Sequence, residues 1–386
     1  MNEKVDVVII GGGLTGLGIA YRLVEKGMKN VVVLEKGYIG VGASGRFPGG
    51  TVQQLPTLDE ITLAKEGVKM LRHLSDELNF NIMFRQKGSL LLAFTEEQVD
   101  RLMVSVRLQN ILKVKSKFIG PSDVKKIVPM LDADKILGAA FCPTDGIVYP
   151  YALLWGYAQA VRRGGGRIRT FTEAREVKVE DGQVRAVVTN EGEIEASTVV
   201  NAAGARSADI AKIAGVKLPN EPRRREFLVT ETLKPFLGPL VLSLHNGLCL
   251  AQAMRGEVIC SIPGRKSAPS GDMRSSVEFL ERAARAAIEI IPQFRDLKVM
   301  RQWVGLYDAT PDGKPVLGEV KDVRGFIQAN GFCGRGLETS TAAARLLAEL
   351  IVDGKAPALL ESFSIERFAE KESTEGKGAM VDFQIS

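Results

Sequence analysis

A glycine-rich turn near the start of the chain constrains the fold more than any other feature. Gly11, Gly13 and Gly16 form a G-x-G-x-x-G pattern between the apolar stretch Val5–Ile10 and apolar residues at three- and four-residue spacing. This pattern predicts a strand, a tight turn and a helix, followed by a second strand at Val31–Glu35. Backbone amides and the positive end of the helix dipole bind phosphate groups at such a turn, which indicates a dinucleotide site.

The end of the second strand supports the same interpretation. Glu35 lies nineteen residues after Gly16, where a carboxylate can accept hydrogen bonds from both hydroxyl groups of a ribose. Further glycine-rich turns occur at 42–50, 202–204 and 331–336. Several turns that converge on one long ligand favour a tightly held flavin dinucleotide over an exchangeable nicotinamide.

Composition excludes other classes of protein. The 386 residues correspond to two or three domains at about 150 residues each. Lys and Arg exceed Asp and Glu by 51 to 46 and are scattered, which gives nucleic-acid binding little support. His73 and His245 are far apart and the four cysteines form no C-x-x-C pair, so we expect no metal site. No secretory signal or membrane span is visible, and we expect a cytoplasmic protein.

The order of the predicted elements indicates an α/β chain with a discontinuous domain. Helices are predicted at 58–78, 96–112, 151–163, 276–291 and 339–352, and consecutive short strands at 225–263. We expect a doubly wound, Rossmann-like FAD-binding domain formed by 1–50, 150–215 and 320–370. An antiparallel-sheet substrate domain, 51–149 and 216–319, would be inserted in it.

Motifs along nearly the whole chain resemble one family. They are Val7–Gly16, Glu35-Lys36, Gly42–Arg46, Val199–Gly204, Trp303–Leu306, Thr310–Gly318 and Asn330–Thr339. Together they resemble the D-amino-acid oxidase/sarcosine oxidase superfamily of FAD enzymes. Leu78–Gly88 and Arg301–Trp303 resemble the β subunits of heteromeric sarcosine oxidases, and the chain is also similar to the β subunits of archaeal dye-linked L-proline dehydrogenases.

The resemblance implies which residues bind FAD. The pyrophosphate would lie on the first turn, the adenosine near the second strand, and the flavin near the second and last glycine turns. The implied residues are Gly11, Gly13, Leu14, Thr15, Gly16, Glu35, Lys36, Ala43, Ser44, Arg46, Ala174, Ala203, Gly204, Gly334, Arg335, Gly336, Leu337, Glu338 and Thr339. A helix that starts at the last turn would also stabilise the negative charge of a reduced flavin.

Arg46, Tyr307 and Glu338 are the catalytic candidates. Arg46 lies either beside the flavin or on the surface. Tyr307 replaces the carboxylate-binding arginine of some amino-acid oxidases, which leaves the substrate carboxylate without an assigned partner. Glu338 takes the place of a lysine found in sarcosine-type oxidases and therefore indicates a dehydrogenase, unless it only supports the start of its helix.

The sequence does not assign a catalytic role to the other basic groups near the predicted site. Arg335 faces either the active site or solvent. Arg223–Arg225 is interpreted as a solvated charge run rather than a carboxylate clamp. His245 could be a base, although hydride transfer from a neutral amine needs none.

The resemblance implies oxidation of L-proline to its imine, with electrons passed to an acceptor other than oxygen. Alternatives are sarcosine, glycine, hydroxyproline, a D-amino acid or glycerol 3-phosphate as substrate, or a noncatalytic flavin-binding subunit. We expect a hetero-oligomer with another flavin- or nucleotide-binding subunit. Pro150 stands where sarcosine oxidase β subunits carry a histidine that binds FMN covalently, so only noncovalent FMN at a subunit interface stays open.

Overall fold

The computed structural model describes residues 3–264 and 272–372 of the chain. In these ranges the strands are β1 (Glu3–Ile10), β2 (Val31–Glu35), β3 (Gly50–Thr51), β4 (Ser89–Ala93), β5 (Lys117–Ile119), β6 (Gly138–Cys142), β7 (Gly146–Ile147), β8 (Arg167–Thr170), β9 (Ala174–Glu180), β10 (Gln183–Thr189), β11 (Gly192–Asn201), β12 (Glu221–Thr232), β13 (Leu240–Ser243), β14 (Cys249–Gln252), β15 (Glu257–Pro263), β16 (Val299–Ala309), β17 (Val316–Val320) and β18 (Val323–Asn330). The α-helices are α1 (Leu14–Glu25), α2 (Leu58–Leu71), α3 (Leu74–Glu77), α4 (Glu96–Ile111), α5 (Pro121–Ile127), α6 (Pro150–Arg163), α7 (Ser207–Ile213), α8 (Val277–Ile290), α9 (Gly336–Asp353) and α10 (Arg367–Glu372).

The first sheet has a parallel centre covered on both faces. β18, β11, β1, β2 and β8 lie side by side and parallel, while β17, β10 and β9 add antiparallel pairings. Leu17 of α1, Tyr157 of α6 and Leu347 of α9 belong to the apolar core on one face. Ile210 of α7 packs against the core on the other face. Burial on both faces explains the uninterrupted apolar runs of β1 and β2 and confirms the predicted Rossmann-like layering.

The second sheet follows the order β16, β12, β15, β14, β13, β4, β6, β5. Its neighbours are antiparallel, as predicted, apart from β13 and β4, which pair in parallel. Those two strands are far apart in the chain, so no hairpin dictates their direction. Phe279 and Ala283 of α8 are buried in the core that covers one face of this sheet.

The predicted helix at 58–78 is wrong in one respect, because it is divided. α2 ends at Leu71 and α3 begins at Leu74, with a turn in which the His73 amide donates to the Met70 carbonyl. Leu71, Leu74 and Leu78 are all buried, so the apolar spacing continues through the break and conceals it. The division into two domains stays a prediction, and Leu63 and Leu71 of α2 pack in the core around α1 and α9.

The last helix begins earlier than the sequence predicts. α9 starts at Gly336 instead of Thr339, so Leu337, Glu338 and Thr339 lie in its first turn. α2 crosses this turn closely, since a Cβ atom on Gly67 would lie 1.8 Å from the Glu338 carbonyl oxygen. A glycine is therefore required where α2 meets the start of α9.

Candidate functional site

The turn between β1 and α1 has the geometry that phosphate binding needs. Gly11 has a φ of +123°, and a Cβ atom there would lie 2.3 Å from the Ala202 carbonyl oxygen. α1 begins at Leu14 without a side-chain cap, and the Leu14 amide donates to Ser44 Oγ at 3.0 Å. A helix start whose N-cap residue has no capping side chain suits an anion such as a pyrophosphate.

Glu35 is fixed at the end of β2 by two backbone amides. Its Oε2 accepts from the Gly12 amide at 2.9 Å, and its Oε1 accepts from the Gly37 amide at 2.8 Å. The side chain is buried and lines the cavity described below. Each carboxylate oxygen keeps a lone pair, so the oriented group can also accept hydrogen bonds from ribose hydroxyls.

A cavity of about 750 Å³ extends from this turn to the second sheet. It brings together the predicted residues Gly11, Gly13, Leu14, Thr15, Glu35, Lys36, Ala43, Ser44, Arg46, Ala174, Ala203, Gly204, Tyr307, Gly334, Arg335, Gly336, Leu337 and Glu338. Gly16 and Thr339 are not among its lining residues. Gly16 lies against the backbone of Gly11, and the Thr339 hydroxyl donates to the Arg335 carbonyl, so both support the two turns from behind.

Asp308 binds the backbone of the last glycine turn, residues 331–336. Its Oδ2 accepts from the Gly331 amide at 2.7 Å and from Asn220 Nδ2 at 2.9 Å. The Cys333 amide donates to the Asp308 carbonyl at 2.9 Å. Burial raises the pKa of Asp308 to about 7. No sequence pattern identified this residue, because it fixes the turn through contacts with two segments that are distant from it in the chain.

Arg335 lies at the cavity and not on the open surface. Its Nη1 forms an ion pair with Glu60 Oε1 of α2, and both side chains are mostly buried. Glu60 also accepts from the Thr57 hydroxyl at 2.7 Å and donates its amide to the Thr57 oxygen at 3.4 Å. The T-x-x-E spacing at 57–60 is a helix-capping signal that could have identified Glu60, although not its contact with Arg335.

Glu338 faces the cavity from the first turn of α9. The residue is 3% exposed, lines the cavity, and its Oε2 has no hydrogen-bond partner within the described residues. Burial raises the pKa of Glu338 to about 8, opposed by its own helix-terminal amide and by Arg335. The raised pKa reduces the negative charge of the group at neutral pH, which the sequence did not indicate.

Arg46 links the loop after β2 to β16 beside the cavity. Its Nε donates to the Val41 carbonyl and its Nη1 to the Val304 carbonyl, each at 2.9 Å. Its own carbonyl accepts from Trp303 Nε1 at 2.8 Å. Arg46 is therefore half-buried at the cavity wall, opposite the strand that carries Tyr307.

The arginine triplet on β12 is not a solvated charge run, so that interpretation is wrong. Arg223 is exposed, but Arg224 forms a buried ion pair with Glu226 at 2.7 Å. Arg225 is buried and lines the cavity. Alternation along a strand and the position of each residue in the sheet give three identical side chains three environments. His245 lies outside the cavity lining, and its ring is 5.6 Å from that of Phe94.

These residues fit a bound FAD. The uncapped start of α1 suits the pyrophosphate, Glu35 suits the ribose, and the backbone at Gly42 and Gly204 is open, with no atom within 4 Å of a Cβ placed there. Among residues 3–264 and 272–372, no group of three His, Cys, Asp or Glu side chains could hold a metal ion. Nor does this described part contain a helix with the length and apolar character needed to cross a membrane.

Comparison with known proteins agrees with this geometry. The family model described as FAD dependent oxidoreductase matches residues 6–350. The β subunit of sarcosine oxidase from Rhodobacter capsulatus is 31% identical over 376 residues, which cover 95% of this chain and 89% of that protein. The structure of L-proline dehydrogenase from P. horikoshii has a TM-score of 0.92 at 32% identity and covers 96% of this chain and 99% of that one. Glycine oxidase from Geobacillus kaustophilus has a TM-score of 0.86 at 26% identity and covers 98% of this chain and 100% of that one.

The cavity, its glycine turns and the extent of these matches lead to one conclusion. The chain belongs to the family of FAD-dependent oxidoreductases.

Proposed function

We propose that this protein is an FAD-dependent amino-acid dehydrogenase that oxidises L-proline to its cyclic imine. The observation that carries this hypothesis is the likeness to L-proline dehydrogenase over nearly the full length of both chains. The cavity volume of about 750 Å³, which FAD and the substrate would share, lies within the rough 300–1,000 Å³ range of small-molecule sites. Apolar side chains such as Phe227, Leu240 and Leu242 form its wall at the second sheet and suit an aliphatic ring.

The reaction removes two electrons and two protons from the amine, as one hydride and one proton. A hydride leaves the carbon next to nitrogen, a proton leaves the nitrogen, and a C=N bond forms. When bound, FAD supplies the hydride acceptor. The chain's own residues would hold the pyrophosphate and ribose at the first turn, and the start of α9 lines the same cavity, where the helix dipole would favour negative charge on the flavin.

The electrons must then reach a second acceptor. We propose that this acceptor is not oxygen and that a partner subunit with its own flavin or nucleotide site receives them. Noncovalent FMN at a subunit interface belongs to this proposal. The relation to a β subunit of sarcosine oxidase supports a hetero-oligomer. A cytoplasmic location is also part of the proposal.

Anaerobic reduction of the bound flavin tests the substrate. Purified protein with FAD is mixed with L-proline, D-proline, sarcosine, glycine or hydroxyproline, and loss of flavin absorbance is followed in time. L-Proline is expected to give the highest reduction rate per unit concentration. A higher value for sarcosine or glycine would replace L-proline with the substrate named for two relatives.

Dithionite reduction is the control for this experiment. If dithionite bleaches the flavin and no amine does so, the protein is a noncatalytic flavin-binding subunit and the proposal is wrong.

A further inference from the structure

Arg225 presents a buried positive charge to the cavity. It lies on β12 and is 9% exposed, and its side chain lines the cavity together with Phe227, Ser261 and Tyr307. Burial lowers the pKa of its guanidinium, yet an arginine stays protonated in a protein. Within residues 3–264 and 272–372, no carboxylate forms an ion pair with it. A buried charge without a counter-ion is strongly unfavourable unless a ligand supplies one.

The remaining contacts of the guanidinium fix its orientation. Nε donates to Ser261 Oγ at 2.7 Å, and Nη2 donates to the Gly247 carbonyl at 3.3 Å. Ser261 in turn donates to the Glu226 carbonyl at 2.9 Å, so its hydroxyl is itself held in place. Nη1 is buried and has no hydrogen-bond partner within the described residues. The Arg225 guanidinium is therefore held in one orientation and keeps N–H donors on Nη1 that no described residue uses.

The cavity extends to Arg225 and to the strand beside it. Arg225 is directly opposite Gly305 of β16, and Arg223 is opposite Tyr307. Gly305 and Tyr307 line the same cavity as Arg225. A Cβ atom placed on Gly305 would lie 3.3 Å from Arg46 Cβ and 3.5 Å from Phe227 Cε2, so the wall next to Gly305 is packed and not empty. A small anion would therefore reach the guanidinium from the cavity that Arg225 lines.

We propose that Arg225 binds the carboxylate of the amino-acid substrate. This inference rests on the proposed function and assigns the group that the sequence left without a partner. An arginine binds a carboxylate through parallel N–H···O bonds, which fix direction as well as distance. The contact would orient the substrate so that its amine-bearing carbon faces the flavin.

Arg223 provides a matched control. It is on the same strand, has the same charge and is exposed, so Arg223→Gln changes the net charge equally without changing the cavity wall. Arg225→Gln removes the charge, while Arg225→Lys keeps the charge and loses the fork. The Lys variant also keeps the test valid if the Gln variant does not fold.

The test measures binding of unreactive ligands to the FAD-loaded protein. Acetate and pyrrole-2-carboxylate are titrated, and Kd is read from the change in the flavin absorption spectrum, with uncharged pyrrole as the control ligand. We expect Arg225→Gln to raise Kd for both carboxylates roughly 10- to 100-fold, with a smaller rise for Arg225→Lys. Pyrrole binding, FAD content and the Arg223→Gln titrations should be unchanged.

Two results would overturn the assignment. One is a Kd for the carboxylates in Arg225→Gln within twofold of the wild-type value. The other is a loss of FAD from both Arg225 variants, which would mean that the side chain supports the flavin. Carboxylate binding that depends on Arg225, without flavin reduction by any amine, would refute the proposed function and leave this assignment intact.

Discussion

At the scale of single residues, Glu35 shows how a local pattern produces a complete binding element. Its carboxylate is oriented by the amides of Gly12 and Gly37 before any ligand arrives. We predict that Glu35→Ala purifies with little FAD, because each lost hydrogen bond to a charged group is worth roughly 1.5–3 kcal/mol. Flavin content is measured from the absorbance of the purified protein. Glu176→Ala, an exposed change on nearby β9, should keep its FAD. FAD content equal to wild type in Glu35→Ala would contradict the assignment.

Glu338 bears on the reaction with oxygen. Glu338 supplies no positive charge to the cavity, and burial, which raises its pKa to about 8, reduces the negative charge that it carries at neutral pH. A positive charge about 4 Å from forming superoxide is worth on the order of 4 kcal/mol at an effective dielectric constant of 20, before screening. Because no cation stands at this position in the first turn of α9, we predict that proline-reduced wild-type protein reoxidises slowly in air and quickly with an artificial dye.

Substitutions at the same position sharpen this prediction. Glu338→Lys should accelerate reoxidation by air at least tenfold, while Glu338→Gln, which keeps a neutral group, should resemble wild type. Stopped-flow absorbance and peroxide assays measure both rates. Peroxide production by wild type that matches the rate of dye reduction would refute the dehydrogenase assignment.

Glu338 also predicts a pH dependence of stability. Between its usual pKa near 4.5 and its folded value of about 8, the native state holds a proton that the unfolded state has lost. The free energy of unfolding therefore falls as pH rises through this window, by roughly 4 kcal/mol from this group. Glu338→Gln should remove that decrease. Urea unfolding of both proteins at pH 5 and pH 8.5, with saturating FAD, checks this. Equal decreases in both proteins would show that Glu338 titrates normally.

At the scale of elements, the contact between α2 and α9 positions the start of α9 at the cavity. Gly67→Ala would place a Cβ atom 1.8 Å from the Glu338 carbonyl oxygen, which is backbone and cannot rotate away. We predict a loss of about 3 kcal/mol in the free energy of unfolding and a reduced FAD content. Denaturant unfolding and flavin absorbance give both values.

Gly156→Ala in α6 is the matched control for this contact. Its Cβ atom would lie 3.1 Å from Leu78 Cδ1 and 3.2 Å from Phe80 Cδ1, so the close contacts are with side chains and are much longer than the 1.8 Å contact at Gly67. We expect its unfolding free energy to change by less than about 1 kcal/mol. Similar losses of unfolding free energy in both variants would mean that any added methyl group in these helices is destabilising. The prediction that the α2–α9 contact is especially sensitive would then be wrong.

At the scale of the whole molecule, the proposed electron transfer requires a partner. Tyr149, Tyr151 and Trp155, at and just after the start of α6, are each 40–47% exposed, and grouped aromatic exposure is typical of interaction surfaces. We predict that the protein isolated from its native source is bound to another flavin- or nucleotide-binding chain. Size-exclusion chromatography and mass spectrometry of the native material test this. Native protein that contains this chain alone, with full dye-linked activity, would contradict the prediction.

The extent to which sequence determined structure differs between these scales. The turn at 11–16, both flanking strands and α1 follow from glycine positions and apolar spacing, which act over a few neighbouring residues. Such patterns do not register the break between α2 and α3, because the buried spacing of Leu71, Leu74 and Leu78 is the same with and without it. Local periodicity therefore predicted where elements lie more reliably than where they end.

The glycine turn at 11–16 and the position of Glu35 were determined by the sequence itself, because both depend on contacts within one βαβ unit. The fold class was predicted from the order of elements along the whole chain. The charge states and partners at the cavity were decided only by the tertiary structure. Arg223, Arg224 and Arg225 are adjacent and identical, yet one is exposed, one is paired and one is buried. The raised pKa of Glu338 and the Arg335–Glu60 pair likewise arise where α2, α9 and the last turn meet. Burial depends on which distant elements become neighbours, and no local pattern contains that information.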